Sequence, residues 1–242
     1  MLSNSEIKKE ALRSLKGRWG FACVLTVIYF AFSLATDLFP IPEDWVTWVE
    51  LAYALLFTTI IGQGYCVSML QIARGEKTQV GTLFCGFKDY KRIFICYFLV
   101  SVILCFSFLL LIVPGVIVSL MLALVPFILK DHPELGAIEV LEKSVQMMKG
   151  HKKRLFFLGL SFLGWILLWF VLIVVLAAVS AFMELSSSLP VSEDLMGWVV
   201  VLMTVLFMLP FLPYVTTSMA AFYEEVKAAE QAAELKAEAE EK

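Results

Sequence analysis

The sequence predicts an all-α, polytopic membrane helical bundle of six spans with amphipathic helices on its cytoplasmic surface. Three observations predict it. Of 242 residues, 60% are apolar and only 17% are charged, and mean hydropathy is +0.85, whereas soluble domains are roughly half apolar and a quarter charged. The apolar residues gather into five uncharged runs, 19–36, 51–73, 93–129, 155–183 and 195–223. Four are of the order of the ~20 residues that a hydrocarbon layer about 30 Å thick demands, and 93–129 is too long. All 19 Lys and Arg fall outside these runs, in four clusters.

The first element is an amphipathic helix. Ile7, Ala11, Leu15 and Trp19 form a stripe at i+4 spacing, with Lys8, Lys9, Arg13 and Lys16 mostly off it. Ser3 and Glu6 read as a capping box. This helix is expected to lie on the cytoplasmic membrane surface and to lead into a span at 19–36. The second span, 48–73, starts at Trp45, Trp48 and Glu50, an aromatic and acidic edge suited to an interface. It carries Gly62-Gln63-Gly64, where Gln63 is a candidate intramembrane polar position, either lining a cavity or bonding between helices.

A second basic segment follows, with Val80, Leu83, Phe84 and Phe87 on one helical face and Lys88, Lys91 and Arg92 beyond. The run 93–129 is then too long for one crossing, since 37 residues make a helix of about 55 Å. Pro114 and Gly115 stand near its middle as the hinge of a hairpin, dividing it into spans 93–113 and 116–129. The second of these is short, about 21 Å, so the hairpin is read as either full or partly re-entrant.

A third amphipathic helix follows His132-Pro133, with Pro133 at its first position and Leu135, Ile138, Leu141, Val145 and Met148 as its apolar stripe. Gly150 ends it. The cluster Lys149, Lys152, Lys153 and Arg154 then meets the headgroups, and these four are candidate contacts for anionic lipid. Spans 155–182 and 196–222 complete a single membrane domain, 1–223. Residues 224–242 form a charged tail, helical or disordered. The three basic segments, each before a hairpin, suggest a threefold repeat.

Charge sets the direction. With the hairpin, the clusters containing Lys8 to Arg18, Arg74 to Arg92, Lys130 to Arg154 and Lys227 to Lys242 all lie on one side. Asp37, Glu43, Asp44, Glu50, Glu184, Glu193 and Asp194 lie on the other. The positive-inside rule makes the basic side cytoplasmic, which places both termini there and the protein in the cell membrane.

Several blocks together resemble a known family. They are Ala11-Leu12 with Leu15-Lys16-Gly17 and Trp19, then Ile112-Val113-Pro114-Gly115. Glu134-Leu135, Ala137 and Glu139 lead on to Ser144 and Met148-Lys149-Gly150. Leu160 to Trp165, Pro213-Tyr214 and Phe222-Tyr223-Glu224 complete the set. In this order they resemble the bacterial membrane proteins grouped as domain of unknown function 975, over almost the whole chain. The Ser144 to Gly150 stretch is also similar, more distantly, to the membrane domain of glycerophosphodiester phosphodiesterases. This chain has no phosphodiesterase domain, so that activity is not implied. The resemblance implies a six-span helical fold with no assigned role.

Catalytic chemistry is not indicated. No ionisable side chain stands at mid-span, where such groups mark ion or proton pathways. His132 and His151 lie at the cytoplasmic rim without Cys at ligand spacing, and Ser186, Ser187, Ser188 and Ser192 have no neighbouring His to activate them. No metal, cofactor or catalytic residue is expected. Cys23, Cys66, Cys85, Cys96 and Cys105 have no CxxC spacing and read as buried apolar residues. A net charge of −3 speaks against nucleic acid. The favoured reading is a non-enzymatic scaffold or accessory protein whose basic face engages lipid headgroups or another membrane protein. The alternative is a transporter or channel for a small or lipidic solute, using a cavity near Gln63 and the Pro114-Gly115 hairpin.

Overall fold

The computed structural model describes residues 3–35, 42–185 and 193–240, and among these there is no strand. Asp37, Ser186, Ser187, Ser188 and Ser192 lie outside the described residues. Helix α1 (Asn4–Leu15) begins with the predicted cap: the Glu6 amide donates to Ser3 Oγ, and the Ser3 amide donates to Glu6 Oε2 at 2.6 Å. Its stripe Ile7, Ala11 and Leu15 is fully buried. It is buried against protein, on α4 and α11, and not against the membrane surface as the sequence suggested. The apolar base of the bundle offers the same desolvation with closer packing. Gly17, at φ +80°, closes the helix, and the chain bends by 93° into α2 (Trp19–Ser33).

Helix α3 (Glu43–Tyr53) runs through a π-helical turn, Ala54–Thr58, into α4 (Thr59–Ala73). Trp45 and Trp48 are exposed near its start. The segment Val80–Phe87 is a 3-10 helix, not the α-helical face expected. With three residues per turn, Leu83 and Gly86 line up and are buried, while Val80, Phe84 and Phe87 face outward. Glycines make this docking possible. A Cβ on Gly64 would lie 1.9 Å from the Leu83 carbonyl oxygen, and one on Gly86 would lie 2.9 Å from the Ile60 carbonyl oxygen. This second segment, a 3-10 turn laid along α4, is unlike the α-helices of the first and third basic segments, so the threefold repeat is not reproduced.

The long run does break into a hairpin, but at Leu111, which is extended at φ −167°, ψ 152°. Helix α5 (Tyr90–Leu110) precedes it and α6 (Ile112–Met121) follows directly. Pro114 therefore sits in the first turn of α6, where its missing N–H costs nothing. Gly115 serves packing and not the reversal, since a Cβ there would meet the Phe108 ring at 2.4 Å. Helix α7 (Val125–Asp131) continues α6 after a turn before Pro126, and together Ile112–Asp131 make 20 residues. The fourth segment is thus longer than the run 116–129 implied.

Helix α8 (Ala137–Met147) starts four residues after Pro133, because the Glu139 carboxylate takes the Gly136 amide at 2.7 Å and fixes the cap there. Its buried face is Val140, Leu141, Ser144, Met147 and Met148, while Ile138 is 65% exposed. The buried face is rotated from the predicted stripe toward α5 and α7, on which α8 packs. Gly150, at φ +83°, ends the segment as expected.

Helices α9 (Lys152–Leu160), α10 (Leu163–Leu185) and α11 (Glu193–Glu240) complete the chain. Pro210 and Pro213 lie inside α11. Pro213 cannot donate to the Leu209 carbonyl, and Cys23 Sγ approaches that oxygen at 3.6 Å instead. The tail is helical to Glu240. Of the cysteines, Cys96 is buried but Cys105 is exposed, against the expectation of uniform burial.

Among the described residues, five helices are long and apolar enough to cross a membrane, or six if α1 and α2 count as one bent span. Burial is uneven between their two ends. The core gathers where α1, α4, α7, α8, α9 and residues 220–226 of α11 meet, whereas nearly all of α10 is exposed.

Candidate functional site

Charged groups tie the base together. The Arg74 guanidinium, just past α4, donates to Asp131 Oδ1 at 2.9 Å and Oδ2 at 2.6 Å, and to Glu224 Oε1 at 2.6 and 2.9 Å. Tyr223 OH donates to Asp131 Oδ2 at 3.0 Å, and Lys227 bonds the same oxygen. Burial works against the Arg74 charge, but hydrogen bonds to Asp131 and Glu224 outweigh it and raise its pKa above the usual arginine value. This cluster joins α4, α7 and α11. Its hydrogen-bonded partners are 57 to 150 residues apart, and nothing in the local pattern announces it.

Other arginines also turn inward. Arg92 donates to the carbonyls of Leu129, His132, Pro133 and Leu135 at 2.7 to 3.1 Å, closing the end of α7 as cationic side chains do. Arg18 does the same to Gly75 and Glu76. Arg154 pairs with Glu225 and stacks over the Phe222 ring at 5.7 Å. Of the four predicted headgroup contacts, Arg154 is therefore engaged within the protein. Guanidinium forks suit such fixed, multiply bonded positions.

The lysines differ. Lys149 and Lys153 are exposed and Lys152 is half-buried. Lys152 and Lys153 border a groove of about 660 Å³ between α6 and α9, whose apolar walls include Ile112, Val116, Leu120, Phe156 and Phe157. Lys149 borders another, about 530 Å³, between α8 and the α5–α6 hairpin, lined by Ile103, Val118 and Ile138. Three predicted contacts thus lie beside apolar channels on either side of α6. The groove containing Ile112 and Val113 also contains Lys152 and Lys153, so the hairpin tip and the basic start of α9 share one surface.

Gln63 is 2% exposed. Its Nε2 donates to the Pro126 carbonyl at 2.7 Å, and its Oε1 accepts from Tyr97 OH at 2.7 Å. It bonds α4 to α5 and α7, the interhelical alternative to lining a cavity. A cavity of about 420 Å³ does lie beside it, walled by neighbours including Tyr29, Gly62, Tyr65, Tyr97 and Thr216. Pro114 and Gly115 lie away from this cavity, at the start of α6.

The sequence model of a family described as a protein of unknown function, DUF975, matches residues 1–110 and 100–230. The chain belongs to this family. No curated protein and no solved structure matches it. In this DUF975 chain the resembling blocks fall on structural joints. Leu15 to Trp19 forms the α1–α2 corner, and Gly115 receives Phe108 in the hairpin. Ser144 Oγ donates to the Met121 carbonyl at 2.7 Å, joining α8 to α6. Tyr223 and Glu224 belong to the ionic cluster.

Proposed function

We propose that this DUF975 protein is a non-enzymatic accessory or scaffold protein of the bacterial cell membrane that holds anionic lipid at its basic face. The α5–α6 hairpin enters and leaves the membrane on one side, so every Lys and Arg falls on a single face, which the positive-inside rule makes cytoplasmic together with both termini. The observation carrying the proposal is the pairing of Lys152 and Lys153 with the apolar groove along α6. An anionic phospholipid needs both parts. The lysines attract the headgroup with about 1 kcal/mol each near the surface, and the groove takes acyl methylenes away from less ordered surroundings. The division of labour between cations supports this reading, because Arg18, Arg74, Arg92 and Arg154 are held by protein acceptors while Lys149 and Lys153 remain exposed.

The test is native mass spectrometry of protein extracted in mild detergent, comparing wild type with a Lys152→Glu, Lys153→Glu variant. Wild type is expected to retain phosphatidylglycerol-mass adducts that the variant loses, with its melting temperature unchanged. Equal retention of anionic and zwitterionic lipid by both proteins would contradict the proposal. The transport alternative has the cavity beside Gln63 in its favour, and that cavity has chemistry of its own.

A further inference from the structure

The cavity beside Gln63 lies between α2, α4, α5 and α11, and none of the residues lining it is charged. Four of its six hydroxyl groups, all but those of Tyr29 and Thr58, are oriented by bonds that admit only one assignment. Thr59 Oγ1 donates to the Ala54 carbonyl at 2.7 Å across the π-helical turn, and Thr216 Oγ1 donates to the Leu212 carbonyl at 2.9 Å. Thr26 Oγ1 donates to the Ala22 carbonyl, so in its 2.9 Å pair with Tyr65 the phenol must be the donor. Gln63 Nε2 donates to the Pro126 carbonyl, which leaves Oε1 facing Tyr97, so Tyr97 must donate as well. A hydroxyl has one proton and two lone pairs. Thr59, Tyr65, Tyr97 and Thr216 have all given their proton to the protein and can offer an occupant only lone pairs.

The same wall presents aromatic faces. The Tyr29 and Tyr65 rings are 5.4 Å apart and tilted by 35°, and phenol faces attract cations through their quadrupole. The approach is anionic too. Asp44 and Glu50 are exposed on the helix leading into the π-helical turn, and no Lys or Arg occurs from Trp19 to Ala73. Four acceptor oxygens, the aromatic faces and the absence of any Lys or Arg from 19 to 73 favour a positively charged donor over an anion. The π-helical turn Ala54–Thr58 widens the helix at this wall, a distortion frequent at functional sites.

We propose that this cavity is a binding site for a small organic cation bearing a primary ammonium group. Its N–H groups meet the lone pairs of Thr59, Thr216, Tyr65 and Tyr97, and its charge rests against the Tyr29 and Tyr65 rings. The site is separate from the lysine-bordered grooves, so loss of lipid binding in the Lys152 and Lys153 variant leaves it unaffected.

Isothermal titration calorimetry on the full chain in an uncharged maltoside detergent tests it with four probes: n-butylammonium, n-butanol, butyrate and tetramethylammonium. Butylammonium is expected to bind saturably, with n-butanol and tetramethylammonium about tenfold weaker and butyrate silent. Thr216→Val, which keeps the side-chain shape, and Tyr29→Leu, which removes a ring, are each expected to weaken butylammonium severalfold without lowering the melting temperature. Equal binding of butylammonium and n-butanol would overturn the proposal, as would equal binding of tetramethylammonium. Butylammonium binding untouched by both substitutions would place it elsewhere and overturn the assignment to this cavity.

Discussion

Two regions of this bundle are both apolar in sequence, yet they are built differently. At the base, α1, α4, α7, α8 and the end of α11 bury Ile7, Leu70, Phe127, Met148 and Tyr223 almost completely. They are joined there by the Arg74, Asp131 and Glu224 cluster. Elsewhere, α10 and the hairpin tip at 109–113, the latter beside Lys152 and Lys153, leave their apolar side chains outward. The first arrangement is that of a water-soluble core, stabilised by desolvation and by satisfied ion pairs. The second suits a solvent of lipid tails, in which an exposed leucine carries no hydrophobic cost. The bundle is therefore fixed by its buried base and meets lipid along α10 and the hairpin.

The largest effect expected from breaking the base comes from Gly64. Gly64→Ala drives a methyl into the Leu83 carbonyl and should cost about 3 kcal/mol or more, visible as loss of monodisperse protein in size-exclusion chromatography. A normal elution profile would mean that the 3-10 segment does not rest on α4. Next is Asp131→Ala. Its carboxylate is only 8% exposed and faces Arg74, Lys227 and Tyr223, so removal takes the acceptor from Lys227 and leaves Arg74 with Glu224 alone. About 3 kcal/mol is expected, read as a lowered melting temperature in detergent. A change within error would show the cluster to be ornamental.

A smaller effect is expected at Gly150. Gly150→Ala forces a Cβ into φ +83° at a cost of about 1 kcal/mol. The smallest is Ile138→Ser, which alters an outward-facing side chain of α8 and should shift stability by no more than about 0.5 kcal/mol. Val140→Ser, on the buried face, should be clearly worse. The reverse order would restore the stripe that the sequence alone suggested.

Much of the fold is legible in the sequence because membrane crossing is a matter of run length and charge, both of which are local. The division of 93–129, the Ser3 and Glu6 cap and the Gly150 stop all rest on such local rules. The position of the hairpin reversal was misplaced because Pro and Gly also occur for other reasons: Pro114 fits a first helical turn, and Gly115 makes room for Phe108. The start of α8 depends on the Glu139 carboxylate reaching Gly136, not on Pro133, and its buried face is set by packing on α5 and α7 and by the Ser144 bond to Met121. The candidate sites were only half visible. Lys149, Lys152 and Lys153 announce themselves as a basic cluster, but that Arg154 belongs to Glu225 needs the fold. The acceptor-lined cavity depends on hydrogen bonds between four helices, for which the sequence has no periodicity.

The central claim is that lipid with an anionic headgroup occupies the groove between α6 and α9. It is tested most directly by photocrosslinking in bacterial-lipid nanodiscs, using a phosphatidylglycerol analogue with a photoreactive acyl chain and mapping adducts by peptide mass spectrometry. The account predicts adducts concentrated on 112–120 and on Phe156 and Phe157, reduced severalfold by Lys152→Glu with Lys153→Glu. Adducts spread evenly over α10 and the outer faces of the bundle, unchanged by those substitutions, would contradict it.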